Sequence, residues 1–259
     1  MTRFLLPALA LAAVPAAVAA LPPATLDQIG SRPAPGATLP AGLRFLDQDG
    51  RPTTSGEATR GETTVLLFVD YKCAYLCGPA LVLTAGALKD SGLDPSLYHL
   101  TMIGIDPRDT PADARIMRGA RLRATPGVAR AAELLTGPPA AISAAARALG
   151  YHFTFDAAHN QFAHDASVYI LDPAGRVSDV LSPFELTPER LRGAIVAAGQ
   201  GRLAALVDEV HVLCYGLNPS AGLYNRGVVQ GLRIGGALTA AALALLLFAT
   251  IRRARRRLA

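Results

Sequence analysis

The sequence predicts an α/β sandwich with a mixed β-sheet, followed by a C-terminal transmembrane helix. Three observations support this prediction. Strand and helix signals alternate through roughly 160 residues, a length that suits one domain with a single core. Two of the strands are continuous apolar runs, as expected for a sheet covered on both faces. The segment 232–251 is long, apolar and closed by arginines, which is typical of a stop-transfer helix.

The first half of the domain contains one short strand and two central strands. Leu43–Asp47 predicts the short strand, and Gln48–Gly50 is its turn. Thr64–Val69 and His99–Ile105 are rich in apolar and β-branched residues, so they predict buried strands. Between these two, Cys77–Leu88 predicts a helix.

The second half continues the alternation and then closes with a hairpin and a covering helix. Proline in the first helical position, with a capping side chain before it, marks two helix starts. Asp-Pro-Ala-Gly is a turn sequence that joins antiparallel strands. The predicted elements are a helix from Pro111 capped by Thr110, a helix over Ala140–Leu149, a strand over Tyr151–Phe155, a hairpin of Ser167–Leu171 with Arg176–Leu181, and a helix from Pro188 to about Ala198.

The N-terminus predicts export. Arg3 precedes the apolar run Phe4–Val14, and Ala17–Ala19 offers a small-x-small cleavage site, so residues 1–19 form a predicted signal peptide. An uncleaved N-terminal anchor is the alternative. The next segment, 20–40, is rich in Pro, Gly and Ala and predicts a tether to the domain at 41–200.

The C-terminus predicts the membrane anchor. A spacer at 201–231 leads into the helix at 232–251, and the basic tail 252–259 is expected in the cytoplasm. The domain would then face the periplasm or the exterior from the inner (cytoplasmic) membrane. The chain has 25 basic and 20 acidic residues. Setting aside Arg3 and the five tail arginines leaves 19 against 20, a formal charge of −1, so no nucleic-acid partner is indicated.

Two of the three cysteines are placed for chemistry. Cys73 follows the strand that ends near Asp70, and Cys77 falls in or near the first turn of the next helix. Sites in open α/β sheets lie at the carboxyl ends of strands. Four-residue spacing on a helical turn separates Cβ atoms by about 5–6 Å, which suits one bridging metal ion or, with adjustment, a disulfide.

The chemistry of these residues favours copper. Thiolate is soft and suits Cu(I), and imidazole binds copper in either oxidation state. Thiol–disulfide oxidoreductases use Cys-x-x-Cys, one residue shorter than this pair. Structural zinc takes four Cys or His ligands, and only His164 is an obvious third. The alternative is a purely structural role, in which the two cysteines pack as small hydrophobic residues.

The five histidines differ in position. His99 and His152 lie in predicted strands, where a structural role is favoured, and His159 lies in a polar loop. His164 directly precedes the strand of the closing hairpin, and loops at strand ends are where sites occur. Position alone leaves a structural role for His164 open.

Three segments carry a likeness to a known family: Phe68-Val-Asp-Tyr-Lys-Cys-Ala-Tyr-Leu-Cys77, Ile105-Asp-Pro-Arg-Asp-Thr-Pro111 and Phe162-Ala-His-Asp-Ala-Ser-Val-Tyr-Ile-Leu-Asp-Pro-Ala-Gly175. In order and spacing, over 41–200, they resemble the Sco/SenC family of copper metallochaperones for cytochrome c oxidase assembly. The resemblance implies a thioredoxin-like fold, a membrane tether and one copper, Cu(I) or Cu(II), held by Cys73, Cys77 and His164. It also places Asp106 near the site, as a neighbour of the ligands and not as a ligand itself.

The resemblance implies two functions. The first is a non-enzymatic metallochaperone that receives copper from an upstream donor and delivers it to the CuA centre in the copper-bearing subunit of cytochrome c oxidase. The alternative is a thiol–disulfide reductase that keeps the acceptor's cysteines reduced, with Cys73 and Cys77 as its redox disulfide and a thiol reductant upstream. His164 separates the two, since a reductase does not need it. A peroxide-reducing thiol enzyme explains neither the pair nor the histidine.

The chain departs from the family in several places. Ala74 and Gly78 stand where many members have proline, and the predicted anchor is C-terminal rather than N-terminal. Residues 156–166 contain no proline, whereas thioredoxin-like reductases carry one in the loop facing their cysteines, so a general reductase is disfavoured. Cys214 with His211 has the spacing of a helical pair, and an apolar thiol in the spacer is favoured over a second metal site.

Overall fold

The computed structural model of the chain describes residues 21–73, 77–200, 236 and 239, apart from the side chains of Pro23 and Cys77. Among these residues, no helix has the length and apolar character needed to cross a membrane. Several predictions lie outside the described residues. These are the signal at 1–19, the spacer at 201–231, the tail at 252–259 and the membrane helix at 232–251, of which only Gly236 and Thr239 are described, both helical.

Short strands and helices alternate along the described chain. The strands are β1 Gly30–Ser31, β2 Arg44–Leu46, β3 Pro52–Thr54, β4 Thr64–Val69, β5 His99–Gly104, β6 Ala132–Leu135, β7 Tyr151–His152, β8 Thr154–Asp156, β9 Gln161–Ala163, β10 Val168–Leu171 and β11 Val177–Leu181. The helices are α1 Pro23–Leu26, α2 Ser55–Thr59, α3 Cys77–Asp90, α4 Pro111–Arg121, α5 Pro126–Arg130, α6 Pro139–Ala148 and α7 Pro188–Gly199, with a 3₁₀ turn at Pro95–Leu97.

A five-stranded sheet forms the centre of the domain. Its strand order is β11-β10-β4-β5-β6. β4, β5 and β6 are parallel, while β10 is antiparallel to both β4 and β11. The predicted mixed sheet and its closing hairpin are therefore confirmed.

Both faces of the sheet are covered, which explains the continuous apolar runs. Every residue of β4 and β5 is buried. One core lies between the sheet and α3, α4, α5 and α7, and includes Leu81, Met117, Val128 and Leu191. A second core on the other face includes Ile142 of α6. Each fully buried Val, Leu or Ile contributes about 1.5–3 kcal/mol relative to exposure, so these two cores supply the main stabilisation of the fold.

Side-chain caps fix two of the predicted helix starts. The Thr110 hydroxyl accepts from the N–H of Asp113, and the Asp113 carboxylate accepts from the N–H of Thr110, which completes a capping box ahead of Pro111. Thr187 caps α7 in the same manner by accepting from the N–H of Arg190. These caps satisfy N–H groups that have no partner inside the helix.

The structure differs from the predictions in several places. The single strand predicted over Tyr151–Phe155 is two strands, β7 and β8, which pair with different partners. The strands β3, β6 and β9 and the short helices α2 and α5 were not predicted. Residues 20–40, predicted as a tether, pack on the domain from β1 onward, because Gly30 pairs with His152 and the N–H of Leu39 donates to the carbonyl of Gly175.

One edge of the sheet gathers the predicted site. The carboxyl ends of β4 and β5 lie side by side there because the strands are parallel, with Val69 opposite Gly104. The amino end of β10 reaches the same edge because it runs the other way, with Val168 opposite Leu67. The loops after β4 and β5 and the segment before β10 are therefore neighbours.

Candidate metal centre

Cys73 lies in a tight turn directly after β4. Its N–H donates to the carbonyl of Asp70 at 3.1 Å, and the N–H of Lys72 donates to the Asp70 carboxylate at 2.9 Å. Cys73 is half-buried and packs against the core on the α3 side of the sheet. The helix α3 begins at Cys77, so Cys73 lies in the loop before it and Cys77 in its first turn, as predicted. The spacing expected for two residues on one helical turn therefore does not apply to this pair.

Two side chains anchor this turn to the rest of the sheet edge. The Tyr71 hydroxyl donates to the carbonyls of Met102 and Leu135, at 3.1 and 3.0 Å. Burial raises the pKa of Tyr71 well above its ordinary value, so the hydroxyl stays protonated as a donor. The Tyr71 N–H donates to Asp109 at 3.1 Å. The turn that carries Cys73 is thus tied to β5, β6 and the loop before α4.

Lys72 makes a second set of contacts to that loop. Its Nζ lies 3.1 Å from the Asp109 carboxylate and 3.2 Å from that of Asp113, and it donates to the carbonyl of Arg108 at 3.1 Å. Burial raises the pKa of Asp109 to about 6, although Lys72 and the Tyr71 N–H pull it down. The charge that holds the turn therefore depends on pH in the mildly acidic range.

His164 lies in the segment between β9 and β10 and is only 1% exposed. It precedes β10 by four residues, and the amino end of β10 lies beside the carboxyl end of β4, with Val168 opposite Leu67. Its Nδ1 lies 2.8 Å from the carbonyl of Asp165 and 3.0 Å from the Tyr151 hydroxyl. A carbonyl only accepts, so the hydrogen-bond pattern assigns the proton to Nδ1.

This tautomer has the form that a metal ligand requires. With the proton on Nδ1, the lone pair of the neutral imidazole is on Nε2. Metal-binding histidines commonly donate their other ring N–H to a carbonyl or carboxylate, which fixes the ring orientation. The Tyr151 hydroxyl strengthens the arrangement because it also donates to the Asp165 carbonyl, at 2.6 Å.

A contact between two alanines brings the start of α3 against the His164 segment. Ala80 and Ala166, each 5% exposed, form a small buried cluster of their own. Ala80 lies one turn after Cys77, and Ala166 lies two residues after His164. Because neither side chain extends beyond Cβ, helix and segment approach closely. The turn with Cys73, the helix start with Cys77 and the segment with His164 therefore meet at one sheet edge.

Asp106, predicted near the site, has a defined partner. Arg108 donates to both of its carboxylate oxygens through Nε and a terminal nitrogen, at 2.8 to 3.0 Å. Burial raises the pKa of Asp106, but the hydrogen bonds and charge of Arg108 outweigh burial and hold that pKa below its ordinary value. Arg108 also donates to Asn160 at 3.1 Å and stacks over Phe155 at 4.9 Å. Asp106 thus orients Arg108 against the β8–β9 hairpin, which leads into His164; a role for Asp106 at the metal site remains a prediction.

The other described histidines lie elsewhere. His99 is buried at the opposite end of β5, where its Nε2 is 3.9 Å from the Glu133 carboxylate. His152 lies in β7. His159 lies in the β8–β9 turn and bonds the Asp156 carboxylate at 2.5 Å.

The donor types fit copper. Among the described side chains, no group of three or more His, Cys, Asp or Glu forms a metal cluster, and the predicted set requires the Cys77 side chain, which is not among them. The two described donors are the soft sulfur of Cys73 and the imidazole of His164. Soft sulfur with imidazole suits copper better than Mg²⁺ or Ca²⁺, which prefer oxygen.

The residues that support the site were not predicted from the sequence. Tyr151 was assigned to a strand without a role, yet it positions the His164 ring. Lys72 and Asp109 both lie in the segments that carry the family likeness, but an ion pair between residues so far apart leaves no pattern in one sequence. The inward-facing position of Tyr151 in an alternating strand was the one available signal.

The SCO1/SenC family model matches residues 33–198, which is well over half of the chain. The chain belongs to the SCO1/SenC family. The match begins inside the predicted tether, in agreement with the packing of that segment on the domain. No curated protein sequence matches the chain significantly.

Solved structures of Sco proteins share the fold. Copper-bound ScoI of Bradyrhizobium japonicum is 24% identical, with a TM-score of 0.50 over 61% of this chain and 98% of that one. Copper-bound ScoI of Arabidopsis thaliana is 19% identical, with a TM-score of 0.52 over 65% and 99%. BsSco, described as having a disulfide switch and as a member of the Sco family of cytochrome c oxidase assembly proteins, is 19% identical, with a TM-score of 0.53 over 66% and 98%. The predicted thioredoxin-like Sco fold is thereby confirmed, and homologous Sco structures contain copper.

Proposed function

We propose that this chain is a membrane-anchored copper metallochaperone that delivers copper to the CuA centre during cytochrome c oxidase assembly. It holds one copper through Cys73, Cys77 and His164. Membership of the SCO1/SenC family and the copper bound to two structural relatives support copper as the cargo.

The arrangement of His164 is the observation that carries the proposal. Its ring is buried, and its Nδ1 is committed to the Asp165 carbonyl and the Tyr151 hydroxyl. Burying and orienting a neutral imidazole beside a cysteine turn is useful for binding a metal. It contributes nothing to dithiol exchange, which needs only the two sulfurs.

Partial exposure of the site suits transfer. Cys73 is half-buried rather than enclosed, so a ligand from an acceptor can reach a bound copper and replace the sulfurs one at a time. The turn beneath it is held by Tyr71 and Lys72, which keeps the cysteine in place while copper leaves. We propose the copper-bearing subunit of cytochrome c oxidase as acceptor, with a copper donor or a thiol reductant upstream.

Dithiol reduction of the acceptor is the second candidate function. The same pair, Cys73 and Cys77, would carry it, and BsSco is described as having a disulfide switch. In this scheme the two thiols are oxidised to a disulfide while a disulfide of the acceptor is reduced to two thiols, and the upstream reductant restores the pair. Formation of the disulfide would also release copper, because thiolates are the ligands.

We place the domain outside the cytoplasm. The predicted signal at 1–19 and membrane helix at 232–251 would hold residues 41–200 on the periplasmic side of the inner membrane, with the basic tail in the cytoplasm. Copper insertion into an exported oxidase domain requires the donor on that side.

Copper stoichiometry tests the proposal. The full-length reduced chain should bind one equivalent of Cu(I), and Cys73→Ser or Cys77→Ser should abolish tight binding because each removes a thiolate ligand. Cys214→Ser is the matched control, since it removes the third thiol of the chain from outside the proposed site, and it should bind normally. Undiminished binding by the Cys73→Ser/Cys77→Ser double variant would refute the ligand assignment.

A further inference from the structure

An arginine outside the predicted ligand set lies against the start of α3. The guanidinium carbon of Arg121 is 2.5 Å from the position that a Cβ on residue 78 would occupy. Residue 78 is glycine, directly after Cys77. Glycine is therefore required for this contact, and the proline that many family members carry at this position would displace the arginine. The departure of Gly78 from the family pattern thus has a structural counterpart in Arg121.

In the part of the chain that the structure describes, no neighbouring acid balances the charge of Arg121. Within the described residues no carboxylate forms an ion pair with it. From Arg115 to Arg130 the sequence contains five arginines and no Asp or Glu. The dipole of α4 favours a cation at its own carboxyl end, but α3 presents its positive end to the same guanidinium. An anion at the start of α3 would relieve this repulsion.

The proposed copper complex supplies such an anion in one oxidation state only. Two thiolates and a neutral imidazole around Cu(I) give a complex with one unit of negative charge, whereas the same ligands around Cu(II) give a neutral complex. A fixed positive charge close to the site therefore stabilises the Cu(I) complex more than the Cu(II) complex.

We propose that Arg121, admitted by Gly78, is a specificity-determining residue that biases the site toward Cu(I). The inference rests on the proposed function, because it requires copper to bind beside Cys77. It assigns Arg121 no ligand role, so copper should still bind when the arginine is replaced.

The reduction potential of the bound copper tests this proposal in the full-length chain. Arg121→Gln should lower the ratio of Cu(I) to Cu(II) affinity about tenfold, equivalent to a fall of about 59 mV for a one-electron couple, with one copper still bound. Arg121→Lys keeps the charge and should retain most of the wild-type potential. Arg123→Gln is the matched control, because it removes an exposed arginine two residues further along the chain.

Gly78→Ala tests the same contact from the other side. The added methyl occupies the place of the guanidinium, so the potential should fall as in Arg121→Gln, and adding Gly78→Ala to Arg121→Gln should produce no further fall. Equal potentials in Arg121→Gln and Arg123→Gln, with one copper bound in each, would overturn the role of Arg121 while leaving copper binding intact. A wild-type chain that binds no copper would overturn both proposals.

Discussion

At the scale of single residues, the candidate centre depends on groups that never touch the metal. The Tyr151 hydroxyl contacts Nδ1 of His164 and donates to the Asp165 carbonyl, while the Tyr151 ring stacks on Phe68 with 4.2 Å between centroids. The hydroxyl therefore orients the imidazole, and the ring belongs to the core. These two roles are separable by experiment because one substitution removes only the hydroxyl.

Tyr151→Phe should weaken copper binding while preserving the fold. Loss of a hydrogen bond that orients a ligand typically costs about 10–100-fold in metal affinity, and the loss of stability should be about 1 kcal/mol. Affinity by competition with a Cu(I) chelator and unfolding by denaturant measure the two effects. Tyr98→Phe is the control, since Tyr98 is buried at the opposite edge of the sheet. The same affinity in Tyr151→Phe as in the control would show that the hydroxyl does not position the ring.

Asp109, which contacts the turn that carries Cys73, makes the stability of the folded chain depend on pH. Its pKa is about 6 in the folded chain because burial opposes ionisation more than Lys72 favours it, against about 3.9 for an unfolded aspartate. Between those values the folded chain binds a proton that the unfolded chain has lost. Asp109 therefore contributes stability at low pH that is lost as the pH rises through about 6.

Asp109→Asn should isolate this contribution. The difference in free energy of unfolding, wild type minus Asp109→Asn, should decrease by about 1–2 kcal/mol between pH 4 and pH 7. Denaturant unfolding of both proteins at the two pH values measures it. Asp113→Asn is the control, because the Thr110 contacts hold the pKa of Asp113 below its ordinary value, so the difference should not decrease across this range. An increase with pH for Asp109→Asn would mean that Lys72, not burial, dominates.

At the scale of elements, the sequence predicted the strands that are buried on both faces. It did not predict the elements that are held mainly by main-chain pairing. Thr64–Val69 and His99–Gly104 are buried on both faces, so their apolar composition predicts them as strands. The strand Ala132–Leu135 is short and carries neither β-branched nor aromatic residues, so it has little signal. Residues 30–39 join the domain through main-chain hydrogen bonds, which a Pro, Gly and Ala composition does not reveal.

The candidate site was likewise predictable only in part. The cysteines and His164 were identifiable because each lies at the end of a strand that the sequence predicts. The proximity of the three segments was expected only from the family likeness, and its physical basis is the register of β10 on β4 and the contact of Ala80 with Ala166. Contacts between residues far apart in the chain, such as Gly78 with Arg121, have no local sequence signal.

Ala80→Leu should separate α3 from the His164 segment. The larger side chain has no room against Ala166, and overpacking of this kind costs about 1–3 kcal/mol. Copper affinity should fall because Cys77 and His164 move apart. Ala87→Leu is the matched control, a buried alanine on the same helix facing the core two turns away. It should lose comparable stability and keep its copper affinity; a parallel loss of affinity in both variants would show that Ala80 acts through stability alone.

At the scale of the whole molecule, the proposed membrane topology would account for the charge distribution. The chain carries a formal +5, yet five arginines follow residue 251 and one precedes the predicted signal core. The remainder is close to neutral, which fits a domain displayed at a membrane without a polyanion partner. The basic tail fixes orientation if the preceding segment spans the bilayer.

Reporter fusions test this arrangement. A reporter joined after Ala259 should lie in the cytoplasm, and a reporter joined after Gln200 should be exported. The two differ because the predicted helix at 232–251 lies between the two fusion points. Replacing the tail arginines with glutamine should weaken the orientation without affecting the signal. Both reporters on the same side of the membrane would exclude a single spanning helix.

The central claim is that the domain carries copper and that His164 completes its site. The most direct measurement is copper bound by full-length His164→Ala, with thiol titration of the same sample and cytochrome c oxidase activity in cells that contain only the variant. We predict weak copper binding, an intact ability to form the Cys73–Cys77 disulfide, and failure to mature the oxidase, with His159→Ala normal in all three. Tight copper binding and normal oxidase activity without the His164 imidazole would contradict the account and favour the dithiol reductase.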